Sequence, residues 1–377
     1  VSVTTTDPAA LEPASEETRR YQRQKEFGNI ASLVLGIVLL LVTGLGVGPL
    51  LVPFFHAVAG DSPWLRLIAV GAFYASVLEL CTLPLDFWSG YILEHRYHLS
   101  NQSLVGWAWK RIKGYMIGGP FSLVMLLSLY ALLWSAGPYW WLVAAVGWLV
   151  LTLILGQLVP VLILPLFYKV TRLEDTSLLD RLRHLADGTG LAIEGVYRLH
   201  LSAETRKANA ALTGLGSTRR VLLGDTLLDN FSAEEIEVVF AHEVGHHVYR
   251  HLPKMIAASV GLTAVALWLA DVVLKSTATQ LGYPAFDDPT ALPLLLLVLG
   301  VFTLGLMPVQ NAVSRAFERQ CDRYALRRTA KPEAYLSAFS KLARLNKADP
   351  DPHPVLVWLL HDHPPIRERL AMAAEVR

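Results

Sequence analysis

Residues 30–55 carry no charged side chain. A helix needs only about 20 such residues to cross a bilayer. Five further runs are nearly as apolar: 64–85, 115–134, 140–167, 255–274 and 291–313. In lipid every backbone polar group must be paired internally, which leaves helices or closed barrels. These lengths suit helices. The expected fold class is therefore mainly α, a multi-pass α-helical membrane protein. Composition agrees, with 53% hydrophobic and 17% charged residues and a mean hydropathy of +0.40. Pro160 and Pro165 should kink the far end of the fourth run. Glu79 and Asp271 lie inside apolar runs. They are expected to face an interior or the span ends, lining a water-filled space or pairing with each other. Tyr139, Trp140 and Trp141 read as an interfacial aromatic belt.

The remaining sequence divides around these runs. Residues 1–28 read as a disordered tail ending in a basic patch, and 29–168 as a membrane domain of four spans. From 169 to 253 the composition is that of a small soluble α+β unit. Residues 175–187 have helical periodicity, and short β-like runs occupy 196–201, 208–213 and 220–223. A turn is expected at 214–217. Two spans fill 254–313, and 314–377 returns to polar, helical sequence. Lys and Arg concentrate before the first span, after the second and between 169 and 254. That bias places both termini and the soluble unit on the cytoplasmic side. The net charge of +1 offers no broad basic field, so nucleic acid is not an expected partner. Cys81 and Cys321, the two cysteines, make neither a disulfide framework nor a CxxC metal pattern.

Within the soluble unit lies His242-Glu243-Val244-Gly245-His246. Ser232 and Glu235 have capping-box spacing, so a helix should start there, run through the motif and stop at Pro253. Residues four apart on a helix sit roughly 40° apart around its axis. His242 and His246 can thus share one tetrahedral zinc, while Glu243 reaches water on the ion's open position. On a continuous helix His251 would fall roughly 180° from His242 and His247 about 100° off the ligand face, so neither is expected as a ligand. The third ligand is sought beyond the sixth span, where Glu318 and Asp322 share a helix face. One carboxylate could bind the metal and the other fix a histidine tautomer.

His242-Glu243-x-x-His246 followed by Glu318-x-x-x-Asp322 resembles the gluzincin membrane proteases of the type 1 CAAX prenyl protease family. Four other stretches are similar to that family: Leu83-Pro84-Leu85 with Glu94, Leu164-Pro165-Leu166-Phe167-Tyr168-Lys169, Asn209-Ala210, and His363-Pro364-Pro365 with Arg369. The resemblance implies six to seven transmembrane helices enclosing a chamber, the seventh supplied by the motif helix. It implies one Zn2+ per chain held by His242, His246 and Glu318. Cleavage after the prenylated cysteine of CAAX proteins follows from it too. Asn209, Ala210, Ala211 and Leu212 would then line the substrate by strand addition. Glu243 is the expected general base, and His363 the expected donor to the negative oxygen, supported by Arg369 or Asp322. The expected partners are a peptide or protein substrate, prenylated in the family, and membrane lipid; a monomer is expected. Two alternatives stand beside this reading. One is a membrane quality-control protease of the HtpX type. The other is a non-catalytic, zinc-stabilised scaffold or lipid-handling chamber, against which the intact Glu243 argues.

Overall fold

The computed structural model describes residues 15–191, 194–215 and 219–376. Six helices in it are long and apolar enough to cross a membrane. Four come first: α1 (Glu16–Ala59), α2 (Pro63–Arg96), α3 (Leu104–Ser135) and α4 (Gly137–Phe167). The tail, expected to be disordered through residue 18 and basic beyond it, is already helical from Glu16, where the Ser15 hydroxyl accepts the Thr18 N–H at 3.1 Å. The whole basic patch, Arg19, Arg20, Arg23 and Lys25, therefore rides on α1. A π-helical turn at Val159–Ile163 breaks α4 at Pro160, at the expected end.

The membrane helices pack on a buried core that includes Phe55, Leu67, Tyr130, Leu267 and Leu295. Their outward faces carry large exposed apolar residues such as Leu50, Val105 and Met116, as lipid contact requires. The two intramembrane carboxylates do not meet. Glu79 pairs with Arg111 of α3 and accepts from Tyr115. Asp271 accepts from Trp140 Nε1 at 2.7 Å and from Lys275 at 2.8 Å. Trp140 is therefore not a belt residue: it is buried at 2% exposure and spends its indole N–H on that carboxylate.

The soluble unit begins with β1 (Val170–Arg172) and α5 (Thr176–Ala186), followed by β2 (Gly195–Leu199), β3 (Ala210–Thr213) and β4 (Arg220–Gly224). The sheet order is β1-β2-β4-β3. Strand β3 pairs antiparallel with β4, Ala210 opposite Leu223 and Thr213 opposite Arg220, and its other edge is free of strand partners among the described residues. The turn expected at 214–217 falls partly outside the described residues.

The motif helix α6 (Ala233–Val248) starts with the expected capping box. Ser232 Oγ accepts the Glu235 N–H, and Glu235 Oε2 accepts the Ser232 N–H at 2.7 Å. It has 16 residues and is buried by α5, by the sheet and by the last helices of the chain. It is not a seventh span. It also stops earlier than expected. Arg250 adopts a left-handed conformation (φ 54°), and a new helix, α7 (His251–Thr277), leaves from it as the fifth span. Pro253 sits in the first turn of α7, where a missing N–H costs no hydrogen bond.

The sixth span, α8 (Leu292–Thr329), is one unbroken helix of 38 residues. Its apolar part and the segment bearing Glu318 and Asp322 are thus a single rod. The chain closes with α9 (Pro332–Leu345), α10 (Pro354–Leu360) and α11 (Ile366–Ala371). These helices fold back on α6 and α8 around Val238, Leu326, Tyr335, Phe339 and Leu370.

Candidate functional site

Helix periodicity puts His242 and His246 one turn apart on α6. Helix α8 crosses that face closely, which Gly245 permits. A Cβ there would lie 3.1 Å from Cys321 Cα and 3.2 Å from its sulfur. The crossing brings Glu318 between the two imidazoles. Its Oε2 lies 3.1 Å from His242 Nε2 and its Oε1 lies 3.3 Å from His246 Nε2. One atom from each residue falls within 4.8 Å of the others, so the three could hold an ion. Glu318 Oε2 is buried without a hydrogen-bond partner. Such an orphaned acceptor costs about 1–3 kcal/mol or more when charged, and a cation at this point removes the penalty. Two nitrogens and a carboxylate oxygen are a donor set that suits zinc.

The two histidines are supported differently. His242 Nδ1 lies 2.9 Å from Asp322 Oδ1. Asp322 is fully buried and receives two hydrogen bonds from Arg369, at 2.7 and 2.9 Å. Burial disfavours an imidazolium at His242, but the neighbouring Asp322 and Glu318 carboxylates outweigh it and raise the pKa to about 9. The ring is thus set with Nδ1–H toward Asp322 and Nε2 toward Glu318. On the other side, His246 Nδ1 faces His251 Nδ1 at 3.2 Å, and His251 Nε2 faces Gln320 Oε1 at 3.2 Å. The amide oxygen can only accept, so His251 carries its proton on Nε2 and accepts the Nδ1–H of His246. His251 is clamped against Phe317, the rings 4.0 Å apart and 6° from parallel. The expectation that His251 faces away fails because α6 ends at Val248, and the Arg250 turn swings His251 back.

Glu243 Oε2 accepts the Leu212 N–H of edge strand β3 at 3.2 Å. The carboxylate after the first histidine is therefore pinned to the strand. His363 Nε2 is 3.5 Å from Glu318 Oε2. Its Nδ1 lies 2.8 Å from Asp362, whose hydrogen bond, with the Glu318 charge, raises the imidazole's pKa against the lowering effect of burial. Arg369 was expected to anchor His363, but its hydrogen bonds go to Asp322 and the anchor is Asp362. Sequence reasoning passed over Asp362, although its adjacency to His363 was the available signal.

Two cavities flank the site. The smaller, about 470 Å³, is lined by Asn209, Ala210, His242, Glu243, Glu318 and His363, among others. The larger, about 1090 Å³, is lined by Leu212, Gly214, Glu243, His246, His251 and Tyr324, among others. Strand β3 thus runs from one cavity to the other past Glu243. Asn209 precedes the strand and gives its carbonyl to the Gly224 N–H at 2.9 Å. Ala211 is half-buried within the strand.

Comparison with known proteins gives the family and the fold. Residues 172–377 match peptidase family M48, and residues 8–169 match the family described as CAAX prenyl protease N-terminal, five membrane helices. The described structure has four membrane-length helices in that stretch. The chain is 32% identical over 302 residues to the uncharacterized metalloprotease YhfN of Bacillus subtilis, covering 79% of this chain and 70% of that one. It is 28% identical to CAAX prenyl protease 1 of Saccharomyces cerevisiae, over 78% of this chain and 69% of the yeast protein. The crystal structure of S. mikatae Ste24p superposes with a TM-score of 0.81 at 24% identity, covering 94% of this chain and 87% of that one, and so shares the fold.

Proposed function

The chain belongs to peptidase family M48, and from that premise and the site geometry we propose how it cuts and what it cuts. It is a multi-pass membrane metalloprotease. The metal is zinc, one per chain, held by His242 Nε2, His246 Nε2 and Glu318. When bound, zinc supplies a Lewis acid for the scissile carbonyl and lowers the pKa of water. Glu243 takes the proton of the attacking water on its carboxylate and returns it to the leaving amine. His363 Nε2–H donates to the carbonyl oxygen as it gains charge. Asp322, backed by Arg369, holds the His242 tautomer. One chain supplies every ligand, so a monomer is sufficient.

The observation that carries this reading is the gathering of His242, His246 and Glu318 beside an edge strand that spans two cavities. Such an edge takes an extended peptide by backbone pairing, with little demand on its sequence. Ala210, Ala211 and Leu212 form that edge, and Asn209 lines its entry. The substrate is the C-terminal segment of a prenylated CAAX protein or a related membrane-associated peptide, as the name of the yeast relative suggests. The Lys and Arg bias supports a cytoplasmic site.

The test is direct. Protein purified in detergent should hold about one zinc per chain and cleave a farnesylated CAAX peptide faster than its unlipidated form. Glu243→Gln should keep the metal and lose about 10²–10⁴-fold in rate. Undiminished cleavage by that variant would end the mechanism. Equal rates on both peptides would end the claim of lipid recognition.

A further inference from the structure

Beside the catalytic trio lies a second group of metal-ligating atoms that the reaction does not use: His246 Nδ1, His251 Nδ1 and Cys321 Sγ, all within 4.8 Å of one another. Two of the three edges of this group match a coordination shell. Metal–nitrogen bonds of about 2.0 Å and a metal–sulfur bond of about 2.3 Å set tetrahedral edges of about 3.3 Å (N to N) and about 3.5 Å (N to S). The observed edges are 3.2 Å between the two imidazole nitrogens and 3.6 Å between Cys321 Sγ and His251 Nδ1.

The surroundings are organised in the same way. The hydrogen bond to Gln320 Oε1 fixes the His251 tautomer, so its Nδ1 lone pair points at the group. An outer acceptor of this kind is what orients a metal-bound histidine. The stack on Phe317 holds the ring plane. His251 is 1% exposed and Cys321 fully buried, so neither ligand has to be recruited from solvent. Gly245, lacking a side chain, lets α8 bring the Cys321 sulfur close against α6. Both histidines line the larger cavity, which gives an ion its route in.

We propose that His246, His251 and Cys321 form a second site for a soft cation of the zinc or cadmium class, with His246 shared between it and the catalytic ion. A thiolate with two imidazoles selects such ions over magnesium or calcium. Binding displaces the Nδ1 proton of His246 and the thiol proton of Cys321 to solvent. One imidazolate then bridges two cations. An imidazolate gives more charge to the catalytic ion than a neutral ring does, which makes that ion a weaker Lewis acid. The second site therefore makes proteolysis sensitive to the load of soft metal.

This inference rests on the catalytic reading, because His246 serves both sites, and cobalt separates the two. The catalytic set contains no sulfur, so a cobalt–thiolate charge-transfer band reports the second site alone. With Cys81→Ser as background, Cys321 is the remaining thiol. Chelator-stripped protein titrated with Co2+ should bind about two equivalents. The band should grow only with the weaker one, and peptide hydrolysis should fall in step with it. Cys321→Ala should lose the band, the second equivalent and the inhibition, and keep the first equivalent. Cys321→Ser serves if the alanine variant does not fold.

Saturation at one equivalent without the band overturns the second site and leaves the catalytic reading standing. A band that appears with the first equivalent also overturns it, because Cys321 would then belong to the catalytic set. Failure to bind any equivalent overturns both.

Discussion

The two histidines of one motif stand four residues apart and rest on opposite kinds of support. His242 leans on a buried ion pair, Asp322 with Arg369. His246 leans on a neutral relay, His251 then Gln320. The first support is strong only while both charges are present, because breaking a buried pair strands a charge away from water. The second can lose a member without stranding one. Stability should thus be concentrated on the His242 side, and the His246 side should tune metal binding at little structural cost.

The largest expected effect breaks the charged side. Asp322→Ala leaves Arg369 buried without its partner, which should cost about 3–5 kcal/mol of stability and about 10–100-fold in metal affinity. Thermal melting in detergent and competition with a chromophoric chelator measure the two quantities. Next is the crossing that both sides share. Gly245→Ala puts a methyl 3.1–3.3 Å from Cys321 and should cost about 1–3 kcal/mol by overpacking, read as a lowered melting temperature.

On the neutral side, His251→Phe should weaken metal binding by about 10-fold while melting stays near wild type, since a ring still stacks on Phe317. His251→Gln, whose amide oxygen can accept the His246 Nδ1–H, should recover most of that affinity. If His251→Phe melts as early as Asp322→Ala, the contrast between the two sides is wrong. The smallest effect is expected from Gln320→Leu. It removes one neutral hydrogen bond, worth about 1 kcal/mol, and so should change metal affinity by no more than a factor of about five.

Much of this was legible in the sequence because it depends on local periodicity. The spans follow from runs of apolar residues, and the His242–His246 pair follows from 3.6 residues per turn. The Ser232–Glu235 capping box follows from spacing alone. What escaped depends on the direction of the chain after a break. Pro253 looked like the terminator, yet a proline is at home in the first turn of a helix, and the break belongs to the left-handed Arg250. That single residue decides where His251 points. The three-residue strand β1 is too short to carry a pattern. Trp140 read as an anchor at the membrane surface because its partner Asp271 lies 131 positions away. The pairing of Asp322 with Arg369 likewise joins distant segments, and spacing within one helix could suggest only that Asp322 faced the same way as Glu318.

The unbroken α8 has a consequence for how the enzyme is made. It carries the last apolar crossing and, without an intervening loop, the carboxylate proposed as third ligand. A growing chain whose earlier five spans are already threaded holds two histidines and no third ligand. On the proposed ligand set, the site is complete only once the final crossing is seated and Glu318 packs against α6. Insertion of the last span and assembly of the proposed ligand set are thus one event.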